Sequence, residues 1–229
     1  MINLISEKPT IDLHGRLKFI TKFVKADDLI NKKVLDIGCG FGWFELFALS
    51  QKPKTIVGTE ISLKDLQTIN KNLHEPRLKT CVGDATNLPF KNNSFDTVVS
   101  WEVLEHVKKG TDHKMFKEVA RVIKKGGHFY LSTPNSSFWS VMFDPAWYLL
   151  SHRHYSLDTI SKMAEKSGLS VIESYIKGGF WDIILTLDMY FSKWVLNRPP
   201  LFGKKLNLLV DKEYQSNGTV SLCVKLMKC

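Results

Sequence analysis

The chain has 229 residues, 44% of them hydrophobic and 24% charged, with a formal net charge of +9. That length and balance suit a single soluble domain over 1–229, and lysines spread along the whole chain indicate a solvated surface rather than a nucleic-acid footprint. Cys39, Cys81, Cys223 and Cys229 show no C-x-x-C spacing, which argues against a zinc site or a disulfide scaffold and for reduced thiols in a cytoplasmic protein.

Met1 to Pro9 lacks a basic start with a long apolar core, so no secretion signal is expected. Within residues 11–25, Leu13, Leu17, Ile20 and Val24 fall at helical spacing, with His14 and Arg16 off the stripe. Val34, Leu35 and Ile37 then read as a buried strand, Gly38, Gly40 and Gly42 as a turn that lets backbone approach a ligand, and Phe44 as a helix start. A dinucleotide site needs glycine or alanine at the sixth position of this turn, where the chain has Trp43. Thr55 to Gly58 form a second strand ending at Glu60, and Ser62 caps a helix with Leu63, Leu66, Ile69 and Leu73 on one stripe. Asp36-x-Gly-x-Gly-x-Gly with an acid 24 residues later resembles the class I S-adenosylmethionine (SAM)-dependent methyltransferases.

The resemblance continues along the chain. Lys79 to Val82 read as a third strand, followed by Gly83-Asp84-Ala85-Thr86-Asn87-Leu88-Pro89-Phe90; Phe95 to Ser100 read as a fourth, running into Trp101-Glu102-Val103-Leu104-Glu105-His106-Val107. This succession closely matches the "type 11" SAM methyltransferases. The match implies SAM as cofactor, its amino-acid end at Asp36, Gly38 and Gly40, and its ribose hydroxyls on Glu60. Adenine would lie on Asp84 and the Ala85 amide, with Trp101 against the adenosine or methionine part. The first helix is similar to that of quinone-pathway O-methyltransferases, where an arginine in the place of Arg16 meets the SAM carboxylate. Plainer readings stand beside these: an exposed Arg16, a capping Glu60, a turn-capping Asp84 and a core Trp101.

The same O-methyltransferases use a Glu-x-x-Glu-His of this form to hold magnesium, which would fall on Glu102, Glu105 and His106. Histidine is an uncommon magnesium ligand, and no metal is expected here. A helical stretch would put Glu102 and His106 on one face, and His106 would serve as general base. Thr111 is expected to cap a helix carrying Met115, Val119, Val122 and Ile123, ended by Gly126-Gly127 before a strand over His128 to Ser132. Next come an aromatic segment, Phe138 to Tyr148, and His152-Arg153-His154-Tyr155, which suits an acceptor pocket in which His152 and His154 take a proton and Arg153 meets an anion.

Ser156 caps a further helix, Ser170 to Lys177 form a sixth strand, and Thr219 to Met227 a seventh. Between them, residues 180–215 have no counterpart in the resembled family. Over Phe180 to Leu196, residues Ile183, Ile184, Leu187, Tyr190, Phe191, Trp194 and Val195 share one helical face, opposite Asp182, Thr186 and Lys193. Two aspartates argue against a transmembrane span. The insertion reads as a cover over an apolar acceptor, a peripheral membrane contact through 180–210, a homodimer contact or extra core.

The resemblance implies an α/β fold, a Rossmann-like seven-stranded sheet with an antiparallel last strand and helices on both faces. It also implies methyl transfer from SAM, for which O-methylation of a small aromatic or lipid-like acceptor is the leading expectation. Carbon or glycan acceptors and a non-catalytic SAM-binding scaffold remain open. A nucleic-acid amine is disfavoured, since the fourth strand ends in Ser-Trp-Glu-Val without Asn/Asp-Pro-Pro-Tyr.

Overall fold

The structure, a computed structural model, describes residues 8–150 and 152–229. Most of the stretch read for a secretion signal, residues 1–7, lies outside them. The chain runs α1 (Gly15–Phe23), β1 (Lys33–Ile37), α2 (Trp43–Ser50), β2 (Thr55–Glu60), α3 (Leu63–Asn72), β3 (Leu78–Val82), β4 (Phe95–Trp101), α4 (Asp112–Val122) and β5 (Ile123–Pro134). It continues through α5 (Phe138–Met142), α6 (Pro145–Leu150), α7 (Leu157–Glu165), β6 (Leu169–Lys177), α8 (Phe180–Trp194), α9 (Gly203–Glu213) and β7 (Ser221–Lys228).

The strands form one sheet in the order β3-β2-β1-β4-β5-β7-β6. β7 runs antiparallel to both of its neighbours, β5 and β6, while the other pairs are parallel. This is the expected seven-stranded α/β sheet. Val34 to Ile37 are buried on both faces, as a central parallel strand requires. On one face Met115 and Phe116 of α4 and Ile160 of α7 pack over Phe129 and Leu131; on the other Ile20 and Phe23 of α1 and Phe44 of α2 pack over Val34, Ile56 and Tyr130.

Local expectations are met at some element ends and corrected at others. Ser62 Oγ accepts from the Asp65 amide at 3.4 Å and Ser156 Oγ from the Thr159 amide at 3.1 Å. Thr111 does not cap α4 with its side chain, because its hydroxyl donates to the Lys108 carbonyl instead. Leu63 is exposed, so the α3 stripe is carried by Leu66 and Ile69. Gly126 and Gly127 lie within β5 rather than ahead of it. After β4 the backbone turns at Glu102 (φ 56°) into a single 3-10 turn over Leu104–His106, so Glu102 and His106 share no helical face.

The 180–215 insertion is a helix pair, α8 and α9, with α9 on α1. Asp211 joins them, accepting from the Gly15 amide at 2.7 Å and from Lys18 Nζ at 2.7 Å. Of the expected apolar stripe on α8, Ile183, Ile184 and Leu187 face cavities of the protein, while its C-terminal part is turned the other way. Asp188 and Ser192 are buried, whereas Phe191 and Trp194 are exposed. The reason is capping: Asp188 accepts from the amides of Leu201 (3.1 Å) and Phe202 (2.9 Å) at the entry to α9.

Candidate active site

The tips of β1 to β4 surround a groove of about 440 Å³ whose walls include Gly38, Glu60, Asp84, Ala85, Trp101 and Glu102. It lies where the chain order reverses between β1 and β4, the usual ligand position in an open α/β sheet. Gly38 has φ 76°, and a Cβ there would stand 2.2 Å from Val103 Cγ2. Only glycine lets this strand end pass so close to the groove wall.

Glu60 is held at the rim by backbone. Its Oε1 accepts from the amides of Ile61 (2.8 Å) and Ser62 (3.3 Å), and its Oε2 from the Gly40 amide at 3.2 Å. A carboxylate has about four lone-pair positions, so a second acceptor site remains on Oε2. Asp84 caps a turn, as its plainer reading had it, and lies in the groove wall. Oδ1 caps the turn, accepting from the Thr86 amide and hydroxyl, while the residue as a whole is exposed at the groove. Trp101 is a core residue packed on Phe44 that also forms groove wall.

Two residues expected at the cofactor lie elsewhere. Asp36 is buried beneath the glycine turn, not in the groove, because its side chain points to the equally buried Glu45. Burial raises both carboxyls, Glu45 to about 8, so the pair is best satisfied by sharing a proton. Arg16 lines an adjoining pocket rather than the groove, donating to Glu102 Oε2 at 2.7 Å.

That second pocket, about 210 Å³, includes Arg16, Glu105, His106, Asp144, His152 and His154 in its wall. Glu102 and His106 line both cavities. The His106 ring makes no hydrogen bond among the described residues, and burial lowers its proton affinity, so it is a neutral acceptor at the junction. His152 donates from Nδ1 to Asp144 Oδ2 at 2.7 Å and lies 3.7 Å from Glu105 Oε1 through Nε2. Against the burial that would lower it, Asp144 and Glu105 push His152 up to about 9. At neutral pH it is therefore a cation, not a base. His154 meets Asp144 Oδ2 at 2.9 Å through Nε2 and the Asn135 carbonyl at 3.0 Å through Nδ1, so both ring nitrogens are already engaged by protein oxygens.

Arg153 does not face an acceptor anion. Its guanidinium donates to the carbonyls of Leu104, Glu105 and Val107 and to Asp112, clamping the turn that carries Glu105 and His106. The Glu102, Glu105, His106 set is likewise not assembled as a metal site, since Glu102 is engaged by Arg16 and by Ser132 Oγ at 2.7 Å. Glu105, His106 and His152 do offer ligand atoms within 4.8 Å of one another. Asp144, which sequence reasoning passed over, organises both histidines; its signal is an acid eight and ten residues ahead of a His-x-His.

Residues 35–131 match the family described as a methyltransferase domain. That stretch is similar to a methyltransferase domain, in line with the motifs that resemble the class I SAM-dependent methyltransferases. It is 29% identical over 131 residues to the ubiquinone biosynthesis O-methyltransferase of Vibrio parahaemolyticus, covering 56% of this chain and 54% of that protein. It is 27% identical over 155 residues to the fatty-acid O-methyltransferase of Mycolicibacterium smegmatis, covering 65% and 55%. The chain thus spans about half the length of the curated relatives it matches. A solved SAM-dependent methyltransferase from Mesorhizobium loti superposes with a TM-score of 0.62 at 18% identity, over 88% of this chain and 93% of that one, a likeness of fold. The family match contains the methyltransferase groove and stops within β5, so α5 to α9 and His152 to His154 lie beyond it.

Proposed function

We propose that this methyltransferase moves a methyl group from SAM to an oxygen of a small aromatic or lipid-like acceptor. The observation that carries the reading is the shared wall: a cofactor-sized groove and a histidine-lined pocket meet at Glu102 and His106. The donor set suits an adenosyl ligand, with Glu60 an acceptor for sugar hydroxyls and Asp84 beside the Ala85 amide an acceptor–donor pair for an adenine edge. When bound, SAM supplies a methyl group on a cationic sulfur. His106 takes the proton from an acceptor hydroxyl. The His152 cation, held by Asp144, stabilises the oxygen that loses it. Apolar walls from Phe143, Ile183 and Met189 exclude water and favour an acceptor with an apolar body. The relatives that act in ubiquinone biosynthesis and on fatty acids support a quinone-like or lipid-like acceptor.

Calorimetry with SAM, followed by turnover of methyl-labelled SAM on a cellular lipid extract, tests this. Label is expected in an organic-phase product. Asp84→Asn, which retains a capping oxygen but can present a donor to the adenine amino group, is expected to weaken SAM binding about 10–100-fold. No SAM binding by the unaltered chain would overturn the proposal.

A further inference from the structure

The tip of the α8–α9 hairpin has its amphipathy reversed with respect to the protein. A helix on a water-exposed surface ordinarily turns its apolar stripe to the core. Here the inward side holds Asp188, Ser192 and Asp182, the last accepting from Tyr214 OH at 2.8 Å. The outward side carries Phe191 at 51% exposure, Trp194 at 45% and, across the hairpin tip, Phe202 at 55%. Val195, Leu196 and Leu201 extend the patch. Inward polar groups are satisfied by capping and hydrogen bonds; the outward apolar surface has no counterpart among the described residues. A patch of this kind marks an interaction face.

Charge says which kind. From Met189 to Gly203 the charged residues are Lys193 and Arg198, both exposed, and Lys205 follows on α9. No carboxylate lies in that stretch, and the nearest, Asp188, is buried on the amides of Leu201 and Phe202. Aromatic and aliphatic side chains rimmed by cations alone match the boundary of an anionic bilayer, where rings sit at headgroup level and cations meet phosphate. A second copy fits less well, because a two-fold contact on this tip would bring the Lys193 and Arg198 side chains of both copies together. No helix among the described residues is long and apolar enough to cross a membrane, so the contact would be peripheral.

The same helix leads to the acceptor pocket. Phe180, Ile183, Ile184 and Leu187 of α8, with Trp139 and Phe143, enclose an apolar cavity of about 450 Å³. Phe143 and Ile183 also line the histidine pocket, so the two cavities share a wall. We propose that the α8–α9 tip docks on an anionic lipid surface and that an amphiphilic acceptor passes from it along α8, apolar tail in this cavity and hydroxyl head toward His106. The delivery half rests on the proposed methyl transfer; the docking half does not.

Flotation of the full chain with phosphatidylcholine vesicles, with and without phosphatidylglycerol, tests docking. Partition is expected to be about tenfold or more higher on the anionic vesicles and to fall with salt. A Phe191→Ser, Phe202→Ser pair and, separately, a Lys193→Gln, Arg198→Gln pair should each lose most of that binding while SAM affinity by calorimetry stays unchanged. Equal partition on neutral vesicles, variants that float like the parent, or concentration-dependent dimers that exclude vesicles would each overturn it. If vesicles bind but no labelled product forms, docking stands and the methyl-transfer reading falls.

Discussion

The groove at the strand tips and the histidine pocket, proposed above to hold cofactor and acceptor, meet at Glu102 and His106, yet they are built in different ways. The groove is made by four strand tips, each contributing a run of two or three neighbouring residues, with a second run, His106 to Lys108, after β4, and its Glu60 is fixed by the backbone amides of Gly40, Ile61 and Ser62. The pocket draws side chains from α1, the turn after β4, the 134–154 segment, α8 and the start of β7. Backbone geometry set by glycine and strand ends is local, so one fold can keep a groove while the pocket is refilled by other side chains. Variants on the two sides should accordingly separate SAM affinity from turnover.

The largest effect on turnover should come from His106→Ala. Loss of a general base costs about 10²–10⁴-fold in kcat, and here SAM affinity should change little because the proposed cofactor contacts fall on Glu60, Asp84 and Ala85 rather than on His106. Rapid-quench turnover alongside calorimetry checks this. An equal loss in SAM affinity would erase the division between the two sites.

The legibility of the two regions follows the same line. Gly38, Glu60 and Asp84 were readable because each lies at a strand end marked by its own neighbours, and the sheet followed from short apolar runs between turns. Asp36 was misplaced: the motif names the residue, but whether it points up to a ligand or down to Glu45 depends on a helix side chain nine positions on. Arg153 looked like an anion site beside two histidines. Its partners, the carbonyls of Leu104, Glu105 and Val107, are 46 to 49 residues away, beyond any local pattern. For α8, periodicity located the helix and its apolar stripe, but the outward turn of the stripe's end at Phe191 and Trp194 goes with the capping demand of α9 on Asp188.

Arg153 supplies the intermediate effect. Arg153→Met keeps much of the side-chain volume and removes the guanidinium donors to the turn carrying Glu105 and His106, where Tyr155 OH still donates to the Leu104 carbonyl. Buried carbonyls left without donors cost about 1–3 kcal/mol each, so unfolding stability should fall by roughly that much or more. Turnover should fall with it while SAM affinity holds, because the clamp positions the acceptor side. Thermal unfolding and kcat measured together decide it; a variant that unfolds earlier but turns over normally would make the clamp a matter of stability alone.

The smallest effect on catalysis, and the one most specific to the groove's foundation, concerns Asp36 and Glu45. Burial holds a proton on this pair in the folded chain up to about 8, whereas an unfolded glutamate releases it near 4.5. Between those values the native state binds more protons than the unfolded state, so stability is greatest at the acid end and declines as pH rises. Glu45→Gln keeps the shape and a permanent donor toward Asp36, and removes the titration of Glu45 while leaving that of Asp36. Its melting temperature should therefore fall less than that of the parent between about pH 5 and about pH 8, with SAM affinity near the parent's at the acid end. A variant with the parent's pH slope would place the titrating group elsewhere and leave the carboxyl pair a bystander beneath the glycine turn.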